Sequence, residues 1–249
     1  MNPFTDEYTK NEVEKYLSGI VLPYEKENIS ITLLRPEGRI DDFLNVNFRN
    51  PSIDIPTLSI HKELWMSLSY MECQSHCLPI SRCEGFVGTG GLGLGYFTLS
   101  AAELDSCEHI DVYEIDTRII DYFNKNFSKR PGFDKIQIIN EDVRSMTNKS
   151  YDYFFMDIYK DMCSNEALED YDLLTKSNTI NHYQFWGEER VILSIFMYDN
   201  RFPLRIDEQL FFQDWIESGL AGFYQDRLGK KYLQKYVSII KSLRSTLKV

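Results

Sequence analysis

The 249-residue chain contains no apolar run close to the roughly 18 to 20 residues that a transmembrane helix requires. Its first residues, MNPFTDEYTKNEVEKY, are polar and acid-rich, which argues against a secretory signal. Positive charge is also in deficit, because 27 lysines and arginines face 38 acids and give a formal net charge of −11. Broad nucleic-acid binding needs a basic surface, so the net charge argues against a nucleic-acid partner. The lack of a long apolar run and of a secretory signal leads us to expect no membrane partner and a cytoplasmic location.

Cysteine and histidine are scarce, with five and four residues, and their spacing matches no common framework. An odd number of cysteines is typical of a reducing compartment. Cys73, Cys77 and Cys83 lie close to His76, but Cys-x3-Cys followed by x5-Cys is not a structural zinc spacing. There is also no HExxH pair. We therefore predict no metal site and expect buried or free thiols.

Several enzyme signatures are absent as well. The chain has no G-K-S/T phosphate loop, no Pro-Cys dipeptide of the cytosine C5 enzymes, and no Asp/Asn-Pro-Pro-aromatic block of the amino-methylating nucleic-acid enzymes. The composition itself is that of an ordinary globular protein, with 43% hydrophobic and 26% charged residues. The length suits one large α/β domain, alone or with a small appendage.

From Cys83 onward, short apolar strands alternate with helical segments. Helices are predicted at Leu94–Glu103 and Ile115–Phe127, the second with Ile119, Ile120, Phe123 and Phe127 on one face. Alternation of this kind predicts a mostly parallel sheet with right-handed crossovers. Its predicted strands are Cys83–Thr89, His109–Glu114, Lys135–Ile139, Tyr151–Met156 and Arg190–Phe196.

The two ends of the chain differ from this core. Residues 1–80 are predicted to be irregular and β-rich, with strands at Ile29–Leu34 and Leu58–Ile60, and then a helical repeat of Leu64, Leu68 and Met71. Residues 201–249 are predicted to be a helical extension whose last 30 residues hold seven basic residues and one acid. The core would then occupy residues 81–200. We expect the basic helix to pack on its own acidic body or on a second copy, as in a homodimer.

The strongest local signal is a glycine-rich turn directly after the first core strand. Its sequence, GTGGLGLGY, places Gly91, Gly93 and Gly95 where a strand turns into a helix. Glycine permits positive φ angles and close approach of the backbone to a ligand, and the following helix N-terminus favours polar or anionic groups. A packing turn without a ligand is the alternative at this position.

Two acids follow at the same edge of the predicted sheet. Glu114 ends the second strand, 19 residues after Gly95, where an acid can accept hydrogen bonds from both ribose hydroxyls of a nucleoside. Asp142 follows the third strand, and ligands of open α/β sheets bind at this carboxyl edge. The alternatives are a solvated strand end for Glu114 and a helix N-cap for Asp142.

Taken in order, the blocks GGLGLGYF, VYEID, INEDVRS and YDYFFMD resemble the class I, Rossmann-like methyltransferases that use S-adenosylmethionine (SAM). The chain is most similar to their spermidine-synthase-like branch, in which a helix bearing a pair like Met71-Glu72 precedes the glycine turn. The blocks LWMS and MDIYKDMC also resemble those of uncharacterised methyltransferase-like proteins from phages and bacteria. The resemblance covers about half of the chain and implies a three-layer Rossmann-like sandwich.

The same resemblance implies roles for individual residues. The glycines would let the backbone approach the amino-acid part of SAM, Glu114 would accept from the ribose diol, and Asp142 would accept from the adenine amine. Ile115 and Val143 would pack beside the adenine ring. The cofactor residues implied are therefore Gly91, Gly93, Gly95, Glu114, Ile115, Asp142 and Val143.

For the transfer step, the resemblance points to Asp157 at the end of the fourth strand. A carboxylate there would orient an acceptor or take its proton, and Tyr159 would stack on the acceptor or hydrogen-bond to it. The chain departs from spermidine synthases, which pair two acids three residues apart, because Asp157 and Asp161 are four apart. Aminopropyl transfer is therefore a weaker alternative than methyl transfer.

These observations predict a SAM-dependent methyltransferase whose acceptor is a small molecule or a protein. A nicotinamide enzyme fits less well, because Tyr96 stands where the third glycine of G-x-G-x-x-G is expected. A second hypothesis is a binding or assembly protein that keeps the sheet without transfer chemistry. Acids at the strand ends would favour a cationic ligand in either case.

Overall fold

A computed structural model of the chain describes residues 5–36, 40–41, 43, 48–49, 53–160 and 166–188. In this part the α-helices are α1 (Asp6–Leu17), α2 (Tyr70–Ser81), α3 (Tyr96–Ala102), α4 (Thr117–Phe127) and α5 (Glu166–Ser177). The strands are β1 (Tyr24–Lys26), β2 (Ile29–Leu34), β3 (Ile40–Asp41), β4 (Phe48–Arg49), β5 (Ile55–Ile60), β6 (Glu63–Ser67), β7 (Gly85–Gly90), β8 (Cys107–Tyr113), β9 (Ile136–Ile139), β10 (Ser150–Met156) and β11 (Thr179–Phe185). Short 3-10 helices lie at Phe133–Lys135 and Val143–Ser145.

The larger sheet has five strands in the order β11-β10-β7-β8-β9, and every pairing in it is parallel. The chain enters at the central strand β7, moves outward through β8 and β9, and then returns to the other side of β7 to form β10 and β11. This is the Rossmann-like strand order, and the reversal falls between β7 and β10. The predicted mostly parallel α/β sheet is confirmed.

Helices cover both faces of this sheet. Neighbouring residues of a strand point to opposite faces, and in β10 the Phe155 ring packs on Phe97 of α3, with ring centroids 4.6 Å apart. Phe154 stacks instead on Tyr183 of β11, which in turn meets Tyr171 of α5. The result is the three-layer sandwich that the sequence resemblance implies.

Helix α4 shows why the helical predictions of the core succeed. Its buried residues are Ile119, Tyr122, Phe123 and Phe127, which recur every three to four positions on one face. Three of them are residues that we predicted to share this face. Asp116 caps the helix, because its side chain accepts from the Arg118 backbone N–H.

The N-terminal region contains an antiparallel sheet of order β1-β2-β5-β6, as its predicted β-rich character requires. Two predictions for this region are wrong in detail. Residues Asp6–Leu17 form a helix, α1, which we did not predict, and the segment expected to be one helix is divided into strand β6 and helix α2. Leu64 therefore lies on a strand paired with β5, because sheet pairing overrides the helical spacing of its apolar residues.

The region beyond β10 also needs a correction. The strand that completes the described sheet is β11, at Thr179–Phe185, in a segment for which we predicted no strand. The predicted strand Arg190–Phe196 and the predicted helical extension 201–249 lie outside the described residues. The division into 1–80, 81–200 and 201–249 stays a prediction. Among the described helices, none has the length and apolar character needed to cross a membrane.

Candidate functional site

A cavity of about 750 Å³ opens at the carboxyl ends of β7, β8 and β10, beside β6 and α2. It therefore lies where the strand order reverses, which is the usual ligand position in open α/β sheets. Its volume is within the range of small-molecule sites. The cavity brings together eight of the nine residues that we predicted for the site: Gly91, Gly93, Glu114, Ile115, Asp142, Val143, Asp157 and Tyr159.

The ninth residue, Gly95, has a packing role. It adopts a positive φ of 82° as the N-cap of α3, and a Cβ there would overlap the Phe123 ring. Gly91 also has a positive φ, 90°, and a Cβ there would overlap the backbone oxygen of Asp157. The turn therefore needs glycine at Gly91 to bring the end of β7 against the end of β10.

Glu114 holds the glycine turn from the neighbouring strand. One of its carboxylate oxygens accepts from the Leu92 backbone N–H at 3.0 Å, and the other accepts from the Asp116 backbone N–H at 2.8 Å. Burial raises the pKa of Glu114, and these hydrogen bonds oppose the rise. Glu114 also lines the cavity, and each carboxylate oxygen can accept a further hydrogen bond.

The residues predicted to surround an adenine lie on two neighbouring loops. Ile115 is 70% exposed although it is a large apolar side chain, and it lines the cavity. Val143 is buried on the loop after β9. The Asp142 side chain accepts from the Arg144 backbone N–H at 2.9 Å, so the N-cap alternative is correct for this residue. Its carboxylate is exposed at the cavity wall, which leaves room for a second partner.

Asp157 lies in a cluster with two residues of helix α2. The Asp157 Oδ2 atom is 3.1 Å from His76 Nε2, and His76 Nδ1 is 3.6 Å from the Glu72 carboxylate. Glu72 and His76 are four residues apart in α2, so they lie on one helix face. Glu72 and His76 are buried, and Asp157 is 21% exposed toward the cavity. We call these three residues the Glu72–His76–Asp157 cluster.

The electrostatics of this cluster follow from its burial. Burial raises the pKa of Glu72, the positive charge on His76 lowers it, and the nearby Asp157 raises it further, so the net direction is upward. Burial alone would lower the pKa of His76, but the carboxylates of Glu72 and Asp157 outweigh burial and raise it. The cluster therefore favours holding positive charge between its carboxylates.

The Tyr159 hydroxyl is held by a hydrogen bond within the protein. Its hydroxyl donates to Asp170 Oδ2 at 2.9 Å, and the same carboxylate accepts from Arg144 Nε at 2.7 Å and Nη2 at 3.0 Å. Burial raises the pKa of Tyr159. The hydroxyl is therefore already engaged, and the two roles predicted for Tyr159, stacking on the acceptor or hydrogen-bonding to it, stay predictions.

Negative charge dominates the cavity wall. Its carboxylates belong to Glu72, Glu114, Asp116, Glu141, Asp142 and Asp157, and its strong bases are Arg118, Arg144 and Lys160. Arg118 pairs with Asp116 of the wall itself, whereas Arg144 and Lys160 pair with Asp170 and Glu63, which do not line the cavity. The cavity is therefore suited to a ligand that carries positive charge.

Sequence reasoning missed Glu72 and His76 as members of the site. The signal present was the spacing E-x3-H on a helix directly before the glycine turn, together with the Met71-Glu72 pair of the resemblance. The cysteines, which drew attention to this segment, take no part in the Glu72–His76–Asp157 cluster, and Cys73 and Cys83 are buried thiols.

No protein-family model matches this chain, and no curated protein matches it in sequence. Among solved structures it is similar to the spermidine synthase of Thermotoga maritima, with 16% identity, a TM-score of 0.40, and coverage of 64% of this chain and 54% of that chain. It is also similar to the 23S rRNA methyltransferase ErmE, with 22% identity, a TM-score of 0.32, and coverage of 40% and 37%.

A third similar structure is coclaurine N-methyltransferase bound to N-methylheliamine and SAH, with 14% identity, a TM-score of 0.37, and coverage of 46% of this chain and 35% of that chain. This chain spans between 35% and 54% of the length of these three proteins. Methyltransferases and a spermidine synthase are thus among the structures similar to this chain, as the sequence resemblance implies. At these TM-scores the likeness does not extend to substrates.

Proposed function

We propose that the chain is a SAM-dependent methyltransferase that binds its cofactor in the cavity between β7, β8 and β10. The single observation that carries this proposal is the meeting of eight predicted site residues around one cavity at the switch point of the sheet. In this arrangement Glu114 accepts from the ribose, Ile115 and Val143 flank the adenine, and Asp142 accepts from the adenine amine. Gly91 and Gly93 face the amino-acid end.

The charge of the cavity supports SAM over a dinucleotide. SAM carries a sulfonium and an ammonium group, and the wall offers more carboxylates than bases, with Glu114 and Asp142 among the carboxylates. A pyrophosphate would meet the same carboxylates at close range and be repelled. The acceptor is then a small molecule or a protein group that tolerates an acidic site, with Asp157 placed to orient it.

The first test is a calorimetric titration of the full chain with SAM. We expect saturable binding, and we expect Asp142→Ala to weaken it about tenfold, which corresponds to the loss of one hydrogen bond. Glu108→Ala is the matched control, because Glu108 is an exposed acid at the amino end of β8, on the opposite edge of the sheet. The control variant should bind SAM as the parent does.

Absence of binding at millimolar SAM, in a chain that still melts cooperatively, would remove the cofactor assignment. Equal affinity of the Asp142→Ala variant and the parent would remove Asp142 from the site while keeping SAM. Transfer of a labelled methyl group to a panel of small molecules and proteins then separates an enzyme from a binding protein. We expect Asp157→Asn to lower any such transfer without abolishing SAM binding.

A further inference from the structure

We infer that Glu72, His76 and Asp157 form a site for a divalent first-row transition metal ion, such as Zn²⁺, on the wall of the cavity. The inference is independent of SAM binding, because it depends on the arrangement of these three side chains alone. One ligand atom from each residue lies within 4.8 Å of the others. An imidazole with two carboxylates is a donor set that suits zinc and its neighbours better than magnesium, which favours oxygen alone.

The hydrogen bonding of His76 supports this inference. Its Nδ1 atom is 2.9 Å from the backbone oxygen of Glu72, and a carbonyl can only accept, so Nδ1 carries a proton. Such a bond to the second ring nitrogen is the usual way in which a metal-binding histidine is oriented. The Nε2 atom then faces Asp157 Oδ2 at 3.1 Å. A neutral ring would bring two acceptors together there, so a proton or a metal ion must lie between them.

The spacing of one pair of donor atoms, on His76 and Asp157, fits a shared ion. Nitrogen and oxygen ligands lie about 2.0 to 2.2 Å from zinc, which places neighbouring ligand atoms about 3.0 to 3.5 Å apart. The distance of 3.1 Å between His76 Nε2 and Asp157 Oδ2 falls in this range.

Glu72 supplies an independent observation. Its side chain is nine-tenths buried, and in the described part of the chain no hydrogen bond reaches its carboxylate. The nearest basic atom is His76 Nδ1 at 3.6 Å, whose proton is directed at the backbone. A buried carboxylate without a hydrogen-bond donor is costly unless a cation lies beside it, either a protonated His76 or a bound metal ion. Because Glu72 lines the cavity beside His76, an ion held there would supply that charge.

Three protein ligands would leave coordination positions open. Asp157 is the most exposed of the three and lies on the cavity side, so these positions would face the cavity. Water or an oxygen or nitrogen atom of a ligand could then complete the coordination, as in metal sites that keep an open position. A metal ion bound by the cluster would thus be able to contact a molecule bound in the cavity.

The experiment titrates the full chain, stripped with a chelator, with Co²⁺ as a spectroscopic probe for Zn²⁺. We expect one equivalent to bind, with no sulfur-to-cobalt charge-transfer absorption, and to be displaced by Zn²⁺. His76→Gln and Asp157→Asn should each weaken binding by at least about tenfold. His109→Gln is the matched control, because His109 Nε2 also faces a carboxylate, that of Asp111, at 2.9 Å.

A folded chain that binds no Co²⁺ at millimolar concentration would overturn the inference and leave a protonated His76 as the bridge to Asp157. Binding that shows thiolate absorption, or that is weakened as much in His109→Gln as in His76→Gln, would also overturn it. Glu72→Gln gives a second readout if either ligand variant fails to fold, and it too should weaken binding. Failure of SAM to bind has no bearing on this result.

Discussion

At the scale of single residues, the site depends on backbone proximity as much as on functional side chains. The carbonyl of Gly90 accepts from the Asp157 backbone N–H at 2.9 Å, and Gly91 leaves no room for a side chain beside the Asp157 carbonyl. The glycine turn and the loop after β10 are therefore a single packed unit. A change at the turn should move Asp157 even though the two segments are far apart in the sequence.

Gly91→Ala tests this coupling. A positive φ costs a non-glycine residue about 1 to 2 kcal/mol, and the overlap of its Cβ with the Asp157 carbonyl adds to that cost. Gly19→Ala is the control, since Gly19 has a φ of 77° and a Cβ added there would meet nothing within 4 Å. Chemical denaturation should show Gly19→Ala losing about 1 kcal/mol and Gly91→Ala losing about 3 kcal/mol or more. Equal losses would show that contact with Asp157 adds no cost.

Residue-level predictions from the sequence succeeded where one position has few alternatives. A glycine after a buried strand and an acid ending the next strand each have few compatible environments, so Gly91 and Glu114 could be placed at the cavity. Glu72 and His76 could not, because an isolated Glu and His on a mainly buried helix also fit an ordinary core. Their meeting with Asp157 depends on the packing of His76 against the end of β10, which is a tertiary feature.

At the scale of elements, the same distinction holds. Strands β7, β8 and β10 are buried runs bounded by turns, so their sequence predicts them. Strand β11 has polar residues in its first half and is buried only from Tyr183 to Phe185, so its parallel pairing with β10 decides its structure.

Helix α1 buries only Thr9, Val13 and Tyr16. Its Thr5 cap and acidic first turn were the available signal.

Helix α5 is connected to the cavity through two carboxylates, the buried Asp170 and the exposed Glu166, which both bind Arg144. Asp170 is 3% exposed and accepts from both Arg144, after β9, and Tyr159, after β10. These bonds attach the helix to the two cavity-lining loops that follow β9 and β10. Because α5 contributes no cavity-lining residue itself among those described, its influence on the site would pass mainly through the buried Asp170, with the exposed Glu166 as a second contact to Arg144.

Asp170→Asn should therefore destabilise the chain and loosen this wall. Losing the charge leaves Arg144 without its buried partner and weakens the Tyr159 bond, at a cost of about 2 to 3 kcal/mol. Asp172→Asn, two residues along the same helix and exposed, is the control and should change stability by less than about 0.5 kcal/mol. Chemical denaturation of both variants measures the difference. Similar stability of the two variants would mean that the Asp170 network contributes little.

At the scale of the whole molecule, the net charge of −11 is reflected in the site itself. The sheet gathers strand-end acids at one edge because parallel strands all end there, and the helix α2 adds Glu72 from the side. The bases of the wall are engaged in pairs, and its carboxylates remain in excess of its bases. A global property of the sequence thus becomes a local preference for cations.

This preference predicts a difference between SAM and its demethylated product S-adenosylhomocysteine, which lacks the sulfonium charge. In chelator, where the Glu72–His76–Asp157 cluster holds only protons, SAM should bind about fivefold more tightly than the product at low salt, because one unit charge near a carboxylate contributes about 1 kcal/mol or more. Raising the ionic strength to about 0.5 M should reduce this ratio, since screening weakens the attraction between the sulfonium and the carboxylates. Paired titrations at both salt concentrations measure it. If the product binds as tightly as SAM at low salt, or if the ratio does not change with salt, the carboxylates of the wall do not face the sulfonium. If NAD⁺ binds about as tightly as SAM, the acidic cavity is not the basis of selection between the two ligands.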